Sequence, residues 1–119
     1  MDIAAGTAVN IANTGGAFAG TNYRINLSGG PTGTFNIDQG ASGNGNYTYT
    51  RTASNAATLR LDYTSPVQGE WDRLDMNFSS RDAGSFTGAQ NVDGGNGVFT
   101  ERNDFAGTFT NFTPNNNPQ

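Results

Sequence analysis

Apolar residues fall at every second position in five separate runs of this chain, and clusters of Gly, Asn, Pro, Ser and Asp end each run. A period of two belongs to a strand with one buried face, because neighbouring side chains point to opposite sides. Residues 21–28 place Tyr23, Ile25 and Leu27 on one face, and residues 34–37 place Phe35 and Ile37. Residues 46–52 offer Tyr47 and Tyr49; residues 57–64 offer Leu59, Leu61 and Tyr63; residues 70–79 offer Leu74, Met76 and Phe78. Shorter runs follow around Phe86, Val98 with Phe99, and residues 105–112. The breaks carry the residues that tight turns require, since Gly reaches positive φ without strain and Pro presets φ at a turn corner. No window has a 3.6-residue period, so almost no helix is expected. Residues 3–12 read as either a first strand or a short helical turn.

So polar a chain needs a reason to fold at all. Hydrophobic residues are 34% and charged residues 13% of 119, both below the usual globular share. Aromatics supply 11%, with 8 Phe, 4 Tyr and 1 Trp, whereas disordered chains are poor in aromatics and rich in charge. The length suits one domain, expected over residues 1–113, with residues 114–119 as a polar tail or linker. Eight or nine short strands joined by tight turns make a meander, and closing it buries one face and removes the edges. The expected fold is therefore all-β, a small antiparallel up-and-down barrel of about eight strands. A two-sheet β-sandwich is the alternative, but the run of neighbouring hairpins has no long crossover of the Greek-key kind.

One hairpin suggests its own register. Setting Leu61 opposite Leu74 and Leu59 opposite Met76 also sets Asp62 opposite Arg73 and Arg60 opposite Asp75 on the other face. A one-residue slip would destroy both matches. The charges then form a solvated outer ladder around the turn at residues 66–69.

Missing residue types exclude much chemistry. Without His or Cys there is no Ser–His–Asp or Cys–His nucleophile system, no disulfide and none of the common zinc sites. All six basic residues are Arg, so Schiff-base and P-loop lysines are absent too. A net charge of −4 opposes nucleic-acid binding, which needs a basic face. No apolar run approaches the roughly 20 residues that span a bilayer as a helix. No cofactor is implied.

The stretches 45–52 (Gly-Asn-Tyr-Thr-Tyr-Thr-Arg-Thr), 56–63 (Ala-Ala-Thr-Leu-Arg-Leu-Asp-Tyr), 74–80 (Leu-Asp-Met-Asn-Phe-Ser-Ser) and 83–88 (Ala-Gly-Ser-Phe-Thr-Gly) share a rhythm of strands and turns. It resembles the cadence of small calycin-like (lipocalin-like, MoaF-like) barrel modules of secreted bacterial proteins. The resemblance covers residues 21–88, implies a barrel with a small-ligand or adhesive role, and brings no site residues with it. True lipocalins carry an N-terminal Gly-x-Trp, whereas Trp71 here stands mid-chain.

Three functional readings follow. The first is a non-catalytic extracellular or cell-surface module, part of a larger secreted protein, serving binding, adhesion or spacing. The acidic, Lys-free, Gly/Asn/Thr-rich composition supports it, as does a start at residues 1–6 with no signal-peptide pattern. On that reading Met1 was added to an excised segment; the alternative is a complete small cytosolic protein. The second is a barrel that binds a small molecule or glycan, with Trp71, Tyr47, Tyr49 and Tyr63 lining a mouth. The third is a carboxylate-based hydrolase using Glu70 with Asp72, or Glu101 with Asp104. Carboxylates at strand ends more often serve solubility. Residues 91–97 have the Asp, Asn and Gly of a calcium turn around Asp93, but without a second carboxylate at fixed spacing a hairpin turn is the expected reading.

Overall fold

The structure, a computed structural model, describes residues 7–65, 67–94 and 97–112. These form eight strands: β1 (Thr7–Gly15), β2 (Asn22–Leu27), β3 (Thr32–Asp38), β4 (Gly43–Ala53), β5 (Ala56–Ser65), β6 (Trp71–Phe78), β7 (Gly84–Asp93) and β8 (Phe99–Thr110). Each pairs antiparallel with the next, and β8 returns to pair with β1, closing the sheet. The fold is the up-and-down barrel, with no helix among the described residues. The ambiguous first segment is β1 from Thr7, while residues 1–6 and the tail at 114–119 lie outside the described residues.

Alternation in sequence becomes alternation in burial. Val9, Ile11, Ile25, Leu27, Phe35, Tyr47, Leu59, Leu61, Leu74, Met76, Phe86, Phe105 and Phe109 fill the interior. An eight-stranded barrel is only just wide enough for side chains to fill, so the backbone must come close at certain points. Gly88 is one: a Cβ there would collide with the Arg73 carbonyl. Gly45 is another, against the Asp62 carbonyl. The pairing shifts register beside both, as expected where a glycine bends a strand around a barrel corner.

The two ends differ. At the base, Phe112 continues past β8 and donates its amide to the Asp82 carbonyl at 3.0 Å. Phe78 packs edge-on to Phe109 and Phe112 at 5.0 and 5.1 Å, and Tyr49 lies 5.6 Å from Phe112. The Tyr47 hydroxyl donates to Gly30 O and accepts from Gly29 N, both at 3.0 Å. Rings and a pinned turn thus seal this end. The opposite end, the mouth, is ringed by the described residues 16–21, 39–42, 67–70, 94 and 97–98.

The expected register of β5 on β6 is corrected. Leu59, not Leu61, lies opposite Leu74; Ala57 lies opposite Met76, Arg60 opposite Arg73 and Leu61 opposite Asp72. The true pairing differs from the expected one by two residues, and a two-residue slip leaves every side chain on its own face. Alternation cannot detect it. The charge matches also mislead, because these strands neutralise themselves. Arg60 reaches Asp62 at 3.1 Å, Arg73 reaches Asp75 at 3.2 Å and Arg102 reaches Asp104 at 2.7 Å, each two residues along the same face. Arg24 and Asp38, paired at 2.8 Å, do face each other across β2 and β3.

Three sets of denaturant melts check this arrangement. Leu61 is fully buried, so Leu61→Ala should cost about 2–5 kcal/mol in a denaturant melt. A double-mutant cycle should give a coupling of up to about 1 kcal/mol for Arg60 with Asp62, and none for Arg60 with Asp75. Gly88→Ala should destabilise, although Ala in a strand is ordinarily better than Gly by roughly 0.5–1 kcal/mol.

Candidate functional site

Among the described residues, three of the four buried polar side chains, Asn13, Asp72 and Gln90, sit at the mouth end of an otherwise apolar interior. Asp72 is the second residue of β6 and shares the inward face of Leu74 and Met76. Only 7% of it is exposed, and a buried carboxylate requires hydrogen bonds. The Tyr63 hydroxyl donates to its Oδ2 at 2.7 Å and Gln90 Nε2 donates to its Oδ1 at 3.0 Å. Gln90 Oε1 in turn accepts the Ala17 amide at 3.0 Å. One carboxylate therefore ties β5, β6, β7 and the β1–β2 loop together. Asn13, 4% exposed, turns its side-chain amide toward the Tyr23 hydroxyl.

Local sequence builds this cluster. The β1–β8 pairing shifts between Asn13 and Gly15, and the β7–β8 pairing between Gly88 and Gln90. Irregularities of this kind re-aim the neighbouring side chain. They flank two of the three buried polar residues.

The electrostatics follow from burial. Loss of water raises the Asp72 carboxyl to about 6, although the bonds from Tyr63 and Gln90 pull it down; nearby Glu70 adds to the rise. Burial, reinforced by the charge of Asp72, also raises the Tyr63 and Tyr23 hydroxyls above the ordinary tyrosine value. Both phenols remain protonated and can donate.

Above the cluster lies a cavity of about 330 Å³, walled by Tyr23, Ile37, Ala41, Tyr63, Asp72 and Gln90, with Phe18 and Glu70 at its edge. It is roughly twice the ~150 Å³ that accommodates benzene in an apolar core. The large hydrophobic side chains exposed among the described residues are Phe18, Val98 and Phe99, at 57%, 61% and 39%, and all three stand on the segments around the mouth.

The residues singled out from sequence are dispersed by this geometry. Tyr63 reaches the mouth, while Tyr47 and Tyr49 point inward at the base. Trp71 does not line the mouth. Its neighbour Asp72 points inward, so Trp71 must point outward, where the Arg60 guanidinium lies 4.5 Å from its ring centre. Glu70 and Asp72 come together on the cavity wall, and Asp72 is no surface-solubilising group. Glu101 and Asp104 are exposed, with Asp104 held below the usual carboxylate range by the Arg102 hydrogen bond. The Asp93 amide donates to Glu70 Oε2 at 3.0 Å, and Asp93 Oδ1 accepts from Gly97 N at 3.1 Å. That turn therefore pins a mouth loop; its residues 95 and 96 lie outside the described residues.

Gln90, Asn13 and Tyr23 were not picked out as a site by sequence reasoning, and Asp72 only as one half of a hydrolase pair with Glu70. The signal was present: each polar member interrupts an apolar face, Asp72 beside Leu74 and Met76, and Asn13 beside Val9 and Ile11. Comparison with protein-family models, curated proteins and solved structures finds no match. The closed eight-stranded antiparallel barrel is compatible with a calycin-like fold.

The buried carboxylate makes stability depend on pH. Its folded value near 6 exceeds the ordinary 3.8, so the folded state holds the proton more tightly. Stability is fully present below about pH 4 and falls as pH rises through about 6, by roughly 3 kcal/mol at 1.36 kcal/mol per pH unit. Asp72→Asn should flatten this slope, because its amide can still meet Gln90 and the rotatable Tyr63 hydroxyl. Melts of both proteins between about pH 4 and 8 check it, and their difference cancels the opposite slopes of Asp38 and Asp104.

Proposed function

We propose that the protein is a non-catalytic barrel that binds a small molecule in its mouth. The observation that carries this reading is the difference between the two ends: the base has a shallower hollow of about 290 Å³ outside its rings, whereas the mouth has a more enclosed cavity of about 330 Å³ over a buried, hydrogen-bonded carboxylate. Binding pockets are mostly apolar concavities with a few fixed polar groups that orient the ligand. Tyr23, Ile37 and Tyr63 supply the apolar wall, and Asp72 and Gln90 the polar floor. Phe18, Val98 and Phe99 offer an apolar approach. The composition supports a setting outside the cell, as a module of a larger protein.

The alternatives have less support. A glycan platform needs an open aromatic face, and Arg60 covers one face of Trp71. A two-carboxylate hydrolase needs one carboxyl to give a proton to the leaving group and the other to attack or activate water. Here Asp72 already accepts from Tyr63 and Gln90, and Glu70 accepts the Asp93 amide.

N-phenyl-1-naphthylamine, a neutral dye that brightens out of water, tests the reading. It should bind saturably at one site per chain. Ser42→Trp, which adds bulk at an exposed position on the cavity wall, should weaken binding about tenfold or more while leaving the melting temperature nearly unchanged. Non-saturable binding, or equal binding by a folded Ser42→Trp variant, would refute it.

A further inference from the structure

The charge around the mouth is one-sided. Two carboxylates, Asp72 and Glu70, line the cavity and no basic residue does. The chain has only six basic residues, all Arg, and each is placed elsewhere. Arg24, Arg60, Arg73 and Arg102 pair with aspartates on the outer wall. Arg51 donates to the Ala53 and Ser54 carbonyls at the base, and Arg81 lies in the loop between β6 and β7, also at the base. The most buried carboxylate among the described residues thus faces a cavity with two neutral donors and no cation. Exposed carboxylates that need a partner far less have one.

Taking the mouth to be a ligand site, as proposed above, we infer that its ligand is a small organic cation, an aryl-alkyl or short alkyl ammonium whose nitrogen rests against Asp72. Removing a carboxylate from water is unfavourable unless a charge or enough hydrogen bonds replace the water. Tyr63 and Gln90 occupy one acceptor position on each oxygen. A carboxylate has about four such positions, so each oxygen keeps room for an ammonium N–H. The Tyr23 and Tyr63 rings on the wall can add cation–π attraction. A fatty acid or phosphate ester would instead bring a third negative charge to two carboxylates with nothing to offset it.

Calorimetric titration with three molecules of one shape tests this: 2-phenylethylammonium, 2-phenylethanol and 3-phenylpropionate. At about pH 7.5 the ammonium should bind about tenfold or more tightly than the alcohol, with the propionate weakest. Asp72→Asn should bring the ammonium down to the alcohol's affinity. Asp75→Asn removes the same charge from the outer wall and should leave the preference intact, which separates a local partner from net charge. At about pH 5, where Asp72 takes up a proton, the ammonium should lose affinity several-fold and the alcohol should not. Equal affinity for ammonium and alcohol, a preference for propionate, or an ammonium preference that survives in Asp72→Asn overturns the inference. If the naphthyl dye still occupies the mouth in that case, only the cation is wrong. If neither the dye nor any of the three binds, the mouth reading itself falls.

Discussion

The return of β8 onto β1 is the constraint on which the remaining structure depends. Once eight strands close, the diameter of the interior is set, and every inward side chain competes for the same limited volume. The chain meets that limit unevenly. It places its rings toward the base, where Tyr49, Phe78, Phe109 and Phe112 pack against one another. It places glycine where the wall must come closest, at Gly45 and Gly88. What remains unfilled inside the wall is at the mouth, while the hollow at the base lies outside the rings. A cavity is therefore what is left when the rings of a narrow barrel gather at one end.

The polar floor of that cavity opposes the rest of the interior energetically. Isolating an ionised carboxylate from water is costly, and a hydrophobic residue of similar size would stabilise the fold more simply. Asp72 instead acts through connection, since Tyr63, Gln90 and, through Gln90, the Ala17 amide all depend on it. The network positions the β1–β2 loop relative to β6 and β7, and so sets the shape of the opening. Interior order and exterior access are governed by the same oxygen atoms.

The barrel was legible in the sequence because its cause is periodic. Alternation at Tyr23, Ile25 and Leu27, or at Leu59 and Leu61, reports a strand with one buried face, and closely spaced turns leave little but a meander. The inward face of the longer runs was legible for the same reason, whereas the apolar pair Val98 and Phe99, read as a further run, is exposed beside the mouth. Pairing across strands was not. Any even slip preserves alternation, so the match of Leu61 with Leu74 looked as good as the actual match of Leu59 with Leu74. The site was legible only in part. Tyr63 carried a visible aromatic signal, but Trp71 drew attention to the outer wall while Asp72, the residue beside it, faces the cavity. Asn13 and Gln90 stand beside register shifts with β8, and although Asn13 visibly interrupts the face of Val9 and Ile11, pairing with a strand distant in sequence is what brings the two to one end.

The strand-local pairing of Arg60 with Asp62 and of Arg73 with Asp75 has an evolutionary consequence. A strand that carries its own counter-charge does not need a particular neighbour. Insertion or deletion of two residues in a turn would slide one strand past the next, and each side chain would keep its face and its partner. Single-residue indels would turn the pattern inside out. Such a lineage should drift in turn length by even steps, free on the outside and held in place by the few interior positions that recognise one another across the barrel.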